Sequence, residues 1–279
     1  MKSNHLMRIV FVAAALLLAL CTPALMKKGF PQGQSPTAAA PPKFALIEFY
    51  KLEWGKDAEY RKIARELWMP IHRERVKLGK IKSWSLWNVR FSRGADSEYD
   101  RVTITTFDKF TDVEGSYPPE SISKPHPNLT FAEILARTTA TRKQARQEFI
   151  ELMDSTTLNP QPLPPFAVIA FHKPESGKGI ETAELVRKYM KPVHQERVNR
   201  GLLKSWMYFY VRFPGGASRE YNHIGLSFHD KFEHMETLYP EGLFSKVHPN
   251  TNSADVTAQL NAVRKLVRVE VLTLLEQVQ

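Results

Sequence analysis

Cysteine is almost absent from this chain. The one thiol, Cys21, forbids an intrachain disulfide, so stability has to come from packing. Long apolar runs are missing too: the longest, Ile9 to Leu20, is roughly 12 residues, where a membrane-spanning helix needs about 20. No CxxC, HExxH, P-loop, GxSxG or post-strand GxGxxG occurs, which removes the usual short signatures of zinc, nucleotide and serine-hydrolase chemistry. Acidic residues are in deficit, 29 Asp and Glu against 39 Lys and Arg, for a formal charge of +10. With 43% hydrophobic and 24% charged residues among 279, the composition excludes a disordered or fibrous chain.

What is present begins with an export signal. Lys2 and Arg8 precede the apolar run, and Thr22-Pro23-Ala24 supplies small residues for cleavage after Ala24. Residues 1–24 are therefore expected to be a signal peptide, and the protein to be periplasmic or secreted with a charge of +8. The rival is a lipoprotein processed at Cys21, disfavoured by the large Leu20 before it. Residues 25–43 are rich in Pro and Ala and read as a linker, and a second proline cluster within 156–165 reads as a boundary.

An internal repeat follows at a constant offset of 122 residues. It aligns Pro70-Ile71-His72-Arg73-Glu74-Arg75-Val76 with Pro192-Val193-His194-Gln195-Glu196-Arg197-Val198, Ser83-Trp84 with Ser205-Trp206, and His126-Pro127-Asn128 with His248-Pro249-Asn250. Across 44–155 and 166–277 about 45 of 112 positions are identical without a gap. Each copy, 44–155 and 166–279, is expected to be a complete βαββαβ unit. The order is a strand at Phe44 to Lys51, a helix over Asp57 to Leu78 that Pro70 should kink and Gly79 should end, a hairpin of Ser83 to Phe91 and Tyr99 to Phe107, a helix opened by the Thr130/Glu133 capping box and running to about Lys143, and a strand at Arg146 to Met153. The class is α+β.

A four-stranded sheet with both helices on one face leaves the other face bare, and the second copy can cover it. This arrangement resembles the dimeric α/β-barrel superfamily of ferredoxin-like units, with two tandem repeats forming the barrel inside one chain. The resemblance rests on element order and duplication. It implies a small-molecule ligand and one of several activities: cofactor-independent oxygenase, cyclase or isomerase chemistry, or a haem enzyme. No residue run carries a haem ligand across, so no cofactor is predicted, and a haem or metal protein using His172, His223 or His229 stays open as a third possibility. A non-catalytic envelope protein that binds or oligomerises is the other class.

The resemblance puts the pocket on the sheet face away from the helices, and alternation then selects its lining. Trp87, Val89 and Phe91 (Phe209, Val211 and Phe213 in the second copy), with Val102, Ile104 and Thr106 (Ile224, Leu226 and Phe228), are expected to face the helices. Trp84, Leu86, Asn88 and Arg90, and in the second copy Trp206, Tyr208, Tyr210 and Arg212, are expected to face the barrel, joined by Glu48, Tyr50, His172, His223 and His229. His172 ends one strand where His223 starts its neighbour, so the two should meet. His172, His223, Tyr208 and Tyr210 are the candidate catalytic groups, His serving as a base near neutral pH and Tyr as donor. Arg212, Arg90, Trp206 and His229 are the candidate binding groups, with the two repeated tryptophans more simply explained as core or seam. A polar pocket in the second repeat favours an enzyme; a filled, apolar barrel favours the binding protein. His72/His194 and His126/His248 occur in both copies and read as structural. The basic stretch from Arg61 through Arg65, Arg73 and Arg75 to Lys82 reads as a solvated face that could touch an anionic membrane surface; export argues against nucleic acid.

Overall fold

Alternating apolar residues in eight segments build one closed antiparallel barrel in a computed structural model that describes residues 40–91, 97–156, 161–216, 218–237 and 239–279. The expected export signal, most of the expected first linker, and parts of the first hairpin turn and of the proline cluster lie outside the described residues. The strands are β1 (Phe44–Leu52), β2 (Ser83–Arg90), β3 (Arg101–Phe107), β4 (Arg142–Ser155), β5 (Phe166–Pro174), β6 (Ser205–Phe213), β7 (His223–His229) and β8 (Arg264–Val278). They close in the order β1-β3-β2-β8-β5-β7-β6-β4. Each repeat contributes a four-stranded ferredoxin-like sheet, and the sheets join at two seams, β2 against β8 and β4 against β6. Closure leaves no unpaired sheet edge.

The long helix of each repeat packs on the outside of its sheet. In the first repeat Asp57–Ile63 passes through a π-helical turn, Ala64–Trp68, into Met69–Lys77; in the second, Gly179–Leu185 passes through Val186–Met190 into Lys191–Asn199. The π turns end at Trp68 and Met190, two residues before Pro70 and Pro192, where a wider turn accommodates a residue that cannot donate a backbone hydrogen bond. Gly79 (φ +66°) and Gly201 (φ +72°) stop the helices in the left-handed conformation that glycine tolerates. The second helix of the first repeat, Phe131–Thr139, opens on the expected capping box: Glu133 N–H donates to Thr130 Oγ1 (3.2 Å) and Thr130 N–H to Glu133 Oε2 (2.7 Å). It ends four residues short of the sequence expectation because β4 begins at Arg142.

The face assignment of the strands is reversed from expectation. Trp87, Val89, Val102, Ile104, Phe209, Val211, Ile224, Leu226 and Phe228, expected against the helices, fill the barrel together with Ala45, Ile47, Phe49, Ala167, Ile169 and Phe171. Trp84 and Leu86 pack instead with Tyr60 and Ala64 of the first helix, and Trp206 and Tyr208 with Val186 and Tyr189 of the second. A closed lumen is cut off from water along its length and has to be filled with apolar side chains, whereas polar residues can lie between sheet and helices, where the sheet is only partly covered. Each large aliphatic or aromatic side chain fully buried in this lumen contributes about 1.5–3 kcal/mol.

One end of the lumen carries a polar plug shared by the repeats. Tyr99 Oη donates to Glu270 (2.6 and 2.7 Å), and its repeat counterpart Tyr221 donates to Glu148 (2.5 Å), so each tyrosine serves the other repeat's carboxylate. Arg146 and Arg268 lie over Phe49 and Phe171 at 4.3 and 4.2 Å and compensate the carboxylates, Arg268 pairing with Glu270 at 3.1 Å.

Candidate functional site

Between the first repeat's sheet and its helices lies a crevice of about 220 Å³. The sheet supplies Glu48 and Tyr50 from β1, Trp84 from β2, Thr103 from β3, and Arg142 and Gln144 from β4; the helices supply Tyr60, Trp68 and His72; Tyr117 and Phe131 complete the wall. The walls are aromatic and the charges are fixed. Arg142 stacks over the Tyr50 ring at 3.4 Å and donates from Nη1 to Tyr60 Oη at 2.8 Å. Burial alone would lower the Arg142 pKa, but Tyr60, Tyr50 and Glu48 around it raise it, so the guanidinium stays charged. Burial, then the neighbouring Glu48 carboxylate, push the Tyr50 hydroxyl well up, and burial pushes Tyr60 up as well, so both remain protonated donors at neutral pH. Glu48 is the one carboxylate among the described lining residues; it accepts from Thr103 Oγ1 (3.1 Å) and Gln147 Nε2 (3.3 Å).

His72 lies face to face with Trp84 (4.4 Å between ring centroids) and with Trp68 (5.7 Å). Arg75, 1% exposed and stacked on Tyr117 at 3.6 Å, donates from Nη1 to His72 Nδ1 at 2.8 Å. Burial, then Arg75, hold the His72 pKa well below its ordinary value, so the ring is neutral. Since Nδ1 accepts from a guanidinium, the ring's own proton sits on Nε2. Arg75 therefore belongs to this buried cluster and not to the solvated basic face expected of it.

The second repeat keeps His194, Arg197, Trp206, Tyr239 and Arg264 at the equivalent positions, with His194 stacked on Trp206 at 4.7 Å. It replaces Tyr50, Arg101 and Leu86 with His172, His223 and Tyr208. His172 and His223 are direct cross-strand partners, as expected, and Tyr208 Oη lies 2.7 Å from His223 Nδ1. All three sit on the helix side of the sheet, not in the barrel. Burial, then Arg264, bring His172 down to about 3 and His223 to about 4, while burial raises Tyr208 to about 12. They are neutral at pH 7, and the histidines are weak bases, contrary to the near-neutral base expected.

Tyr210, the cross-strand partner of His223 on β6, is 40% exposed with its ring 6.0 Å from that of His223. The remaining expected site residues do not join them. Arg212 pairs with Glu151 across the β4–β6 seam at 3.4 Å, and Arg90 lies over Phe232 at 4.6 Å. His229 is fully buried at the far end of β7, six residues and roughly 20 Å from His223. Trp206 stacks on Tyr208 as well as on His194, as core rather than as an open platform. His126 and His248 bond the backbone carbonyls of Leu67 and Tyr189 at 3.0 Å, a structural role as expected. The sequence reading missed Tyr60, Trp68, Tyr117 and Arg142. The signal was available for the last two, since Tyr117/Tyr239 and Arg142/Arg264 recur at the repeat offset.

The chain matches no protein-family model and no curated protein. Solved structures do match. A candidate monooxygenase from Fusobacterium nucleatum aligns with TM-score 0.52 at 11% identity, over 85% of this chain and 94% of that one. A candidate monooxygenase from Lactobacillus acidophilus gives TM-score 0.48 at 11% identity, over 85% and 94%. A haem-binding protein from Thermus thermophilus gives 0.47 at 9% identity, over 84% and 92%. Identities this low speak to fold alone. With its eight-stranded closure and two ferredoxin-like halves, the chain has the dimeric α/β-barrel fold, with both halves in one polypeptide.

Proposed function

We propose that the protein is exported and binds a small planar aromatic anion in the first-repeat crevice, as a cofactor-independent enzyme of oxygenase, cyclase or isomerase type; the apolar barrel interior is the outcome expected of the non-catalytic binding protein, so the enzyme reading rests on the crevice outside the barrel. The observation that carries this reading is Arg142, held charged between Tyr50 and Tyr60 in an aromatic-walled crevice. Aromatic walls stack a planar ring, and a fixed cation with two protonated phenols stabilises an oxyanion without reorganising. Cofactor-free chemistry of this type starts with removal of a proton from an acidic O–H or C–H. Glu48 is placed to accept that proton, while Arg142, Tyr50 and Tyr60 hold the resulting anion.

The test is titration of the full chain with 1-hydroxy-2-naphthoate, followed by the emission of Trp68 and Trp84 and by calorimetry. The expected result is saturable binding that Arg142→Gln weakens at least tenfold, about 1.4 kcal/mol. Equal affinity in the folded variant rejects the site. Oxygen uptake with bound ligand then separates an oxygenase from an isomerase or a plain binding protein.

Haem does not fit this crevice. An axial imidazole needs a free lone pair, and His72 turns its protonated Nε2 away from Arg75. A second reading rests on the other repeat: His172 Nδ1 is buried without a hydrogen-bond partner beside His223. Two neutral imidazoles are ready ligands, although among the described residues no group of three or more His, Cys, Asp or Glu is placed to hold a metal ion. The ultraviolet-visible spectrum and metal content of freshly purified protein test it, a band or metal lost in His172→Ala/His223→Ala being the supporting result.

A further inference from the structure

We propose that the barrel lumen is a separate binding site, for an uncharged apolar molecule, entered from the end opposite the tyrosine–glutamate plug. A cavity of about 250 Å³ lies there, on the inner face of both sheets and away from the crevice. Its walls are Ile47, Ile104, Met207, Phe209, Ile224 and Phe228, contributed by both repeats. An apolar void of about 150 Å³ already takes up benzene, so this volume suits a larger hydrocarbon or a fused bicyclic ring.

Behind the mouth the polar side chains are already engaged. Ser83 and Thr106 bond each other at 2.6 Å, Ser85 accepts from Trp87 Nε1 at 2.8 Å, and Lys82, the one charged residue among the described lining residues, pairs with Asp108 at 3.0 Å. Ordered water needs two to four polar partners, and an ionic ligand needs a counter-charge; an apolar neutral molecule needs neither. Ala40 and Pro42 from the N-terminal lead-in, Gln161 and Leu163 between the repeats, and Gln279 at the C-terminus form the mouth. Leu163 is pinned over it, its N–H donating to Gln277 Oε1 at 2.9 Å. The Tyr99–Glu270 and Tyr221–Glu148 pairs lie at the other end of the barrel and do not line the cavity.

The test is fluorescence titration of the full chain with N-phenyl-1-naphthylamine. The expected result is saturable enhancement at one probe per chain, a rise in the unfolding midpoint with probe concentration, and no displacement by saturating 1-hydroxy-2-naphthoate. Ala45→Leu and Ile104→Phe add volume inside the cavity from different strands, and each is expected to weaken the probe at least tenfold while circular dichroism stays native. Should Ile104→Phe fail to fold, Ala45→Leu and the wild-type midpoint decide. Absence of saturable binding, displacement by the naphthoate, or undiminished affinity in the folded filling variants overturns the proposal.

Discussion

His229 shows how a single residue separates the two copies. Its counterpart in the first repeat is Phe107, 1% exposed, whereas His229 is fully buried with neither ring nitrogen in good hydrogen-bonding geometry. Burial, then Arg197, lower its pKa to about 4, with the Leu202 backbone a partial counterweight. His229→Phe restores the first copy's residue and removes a buried polar group, so it is expected to stabilise by about 1 kcal/mol in a denaturant titration. The buried histidines also set an acid response. With folded values of about 3 for His172 and about 4 for His223 and His229, below the unfolded 6.5, the unfolded chain binds more protons in acid. Their contribution is fully present above pH 6.5 and is lost as pH falls toward 4. The unfolding midpoint is expected to drop between pH 7 and 5, and to drop less in His229→Phe. The meeting of His172 with His223 was legible in the sequence because strand order and register fix it. The side of the sheet on which they lie was not, since in β1, β2, β6 and β7 both faces are buried, one by the lumen and one by helices.

At the scale of the element, caps and turns behaved as local chemistry dictates. Glu133 and Thr130 close a reciprocal capping box, so Thr130→Ala is expected to cost about 1 kcal/mol without altering the crevice walls, measured as a shift in chemical midpoint at constant m-value. The π turns before Pro70 and Pro192 were not legible. The sequence shows a proline in an apolar helical pattern, and whether the helix kinks, breaks or widens depends on what packs against it. Here the π turn carries Ala64 and Trp68, both buried and both lining the crevice, so the same irregularity that absorbs the proline helps to wall the candidate site.

For the whole molecule the seams and the plug make the two repeats interdependent. Separating them exposes the edges of β2, β4, β6 and β8 and strips Glu148 and Glu270 of their tyrosine donors. A chain split between 156 and 161 is expected to give halves that co-purify when expressed together, while the first half alone does not run as a folded monomer in size-exclusion chromatography. Tyr221→Phe leaves the Glu148 carboxylate, 7% exposed, without that donor and is expected to cost about 1–3 kcal/mol by thermal unfolding.

Several things follow from the sequence alone. The duplication at 122 residues, the element order of each copy, the glycine stops and the need for two bare sheets to cover each other are all encoded in local pattern and repetition, and together they determine the closed barrel. Only the tertiary structure decided which face of each strand became the lumen. It also decided that Arg142, Tyr50 and Tyr60 converge outside the lumen, and that one lumen end is plugged by Tyr99 and Tyr221 while the other keeps a cavity. These depend on closure in three dimensions: a closed sheet isolates its interior from water and drives apolar side chains inward, an effect that alternation along a single strand does not record.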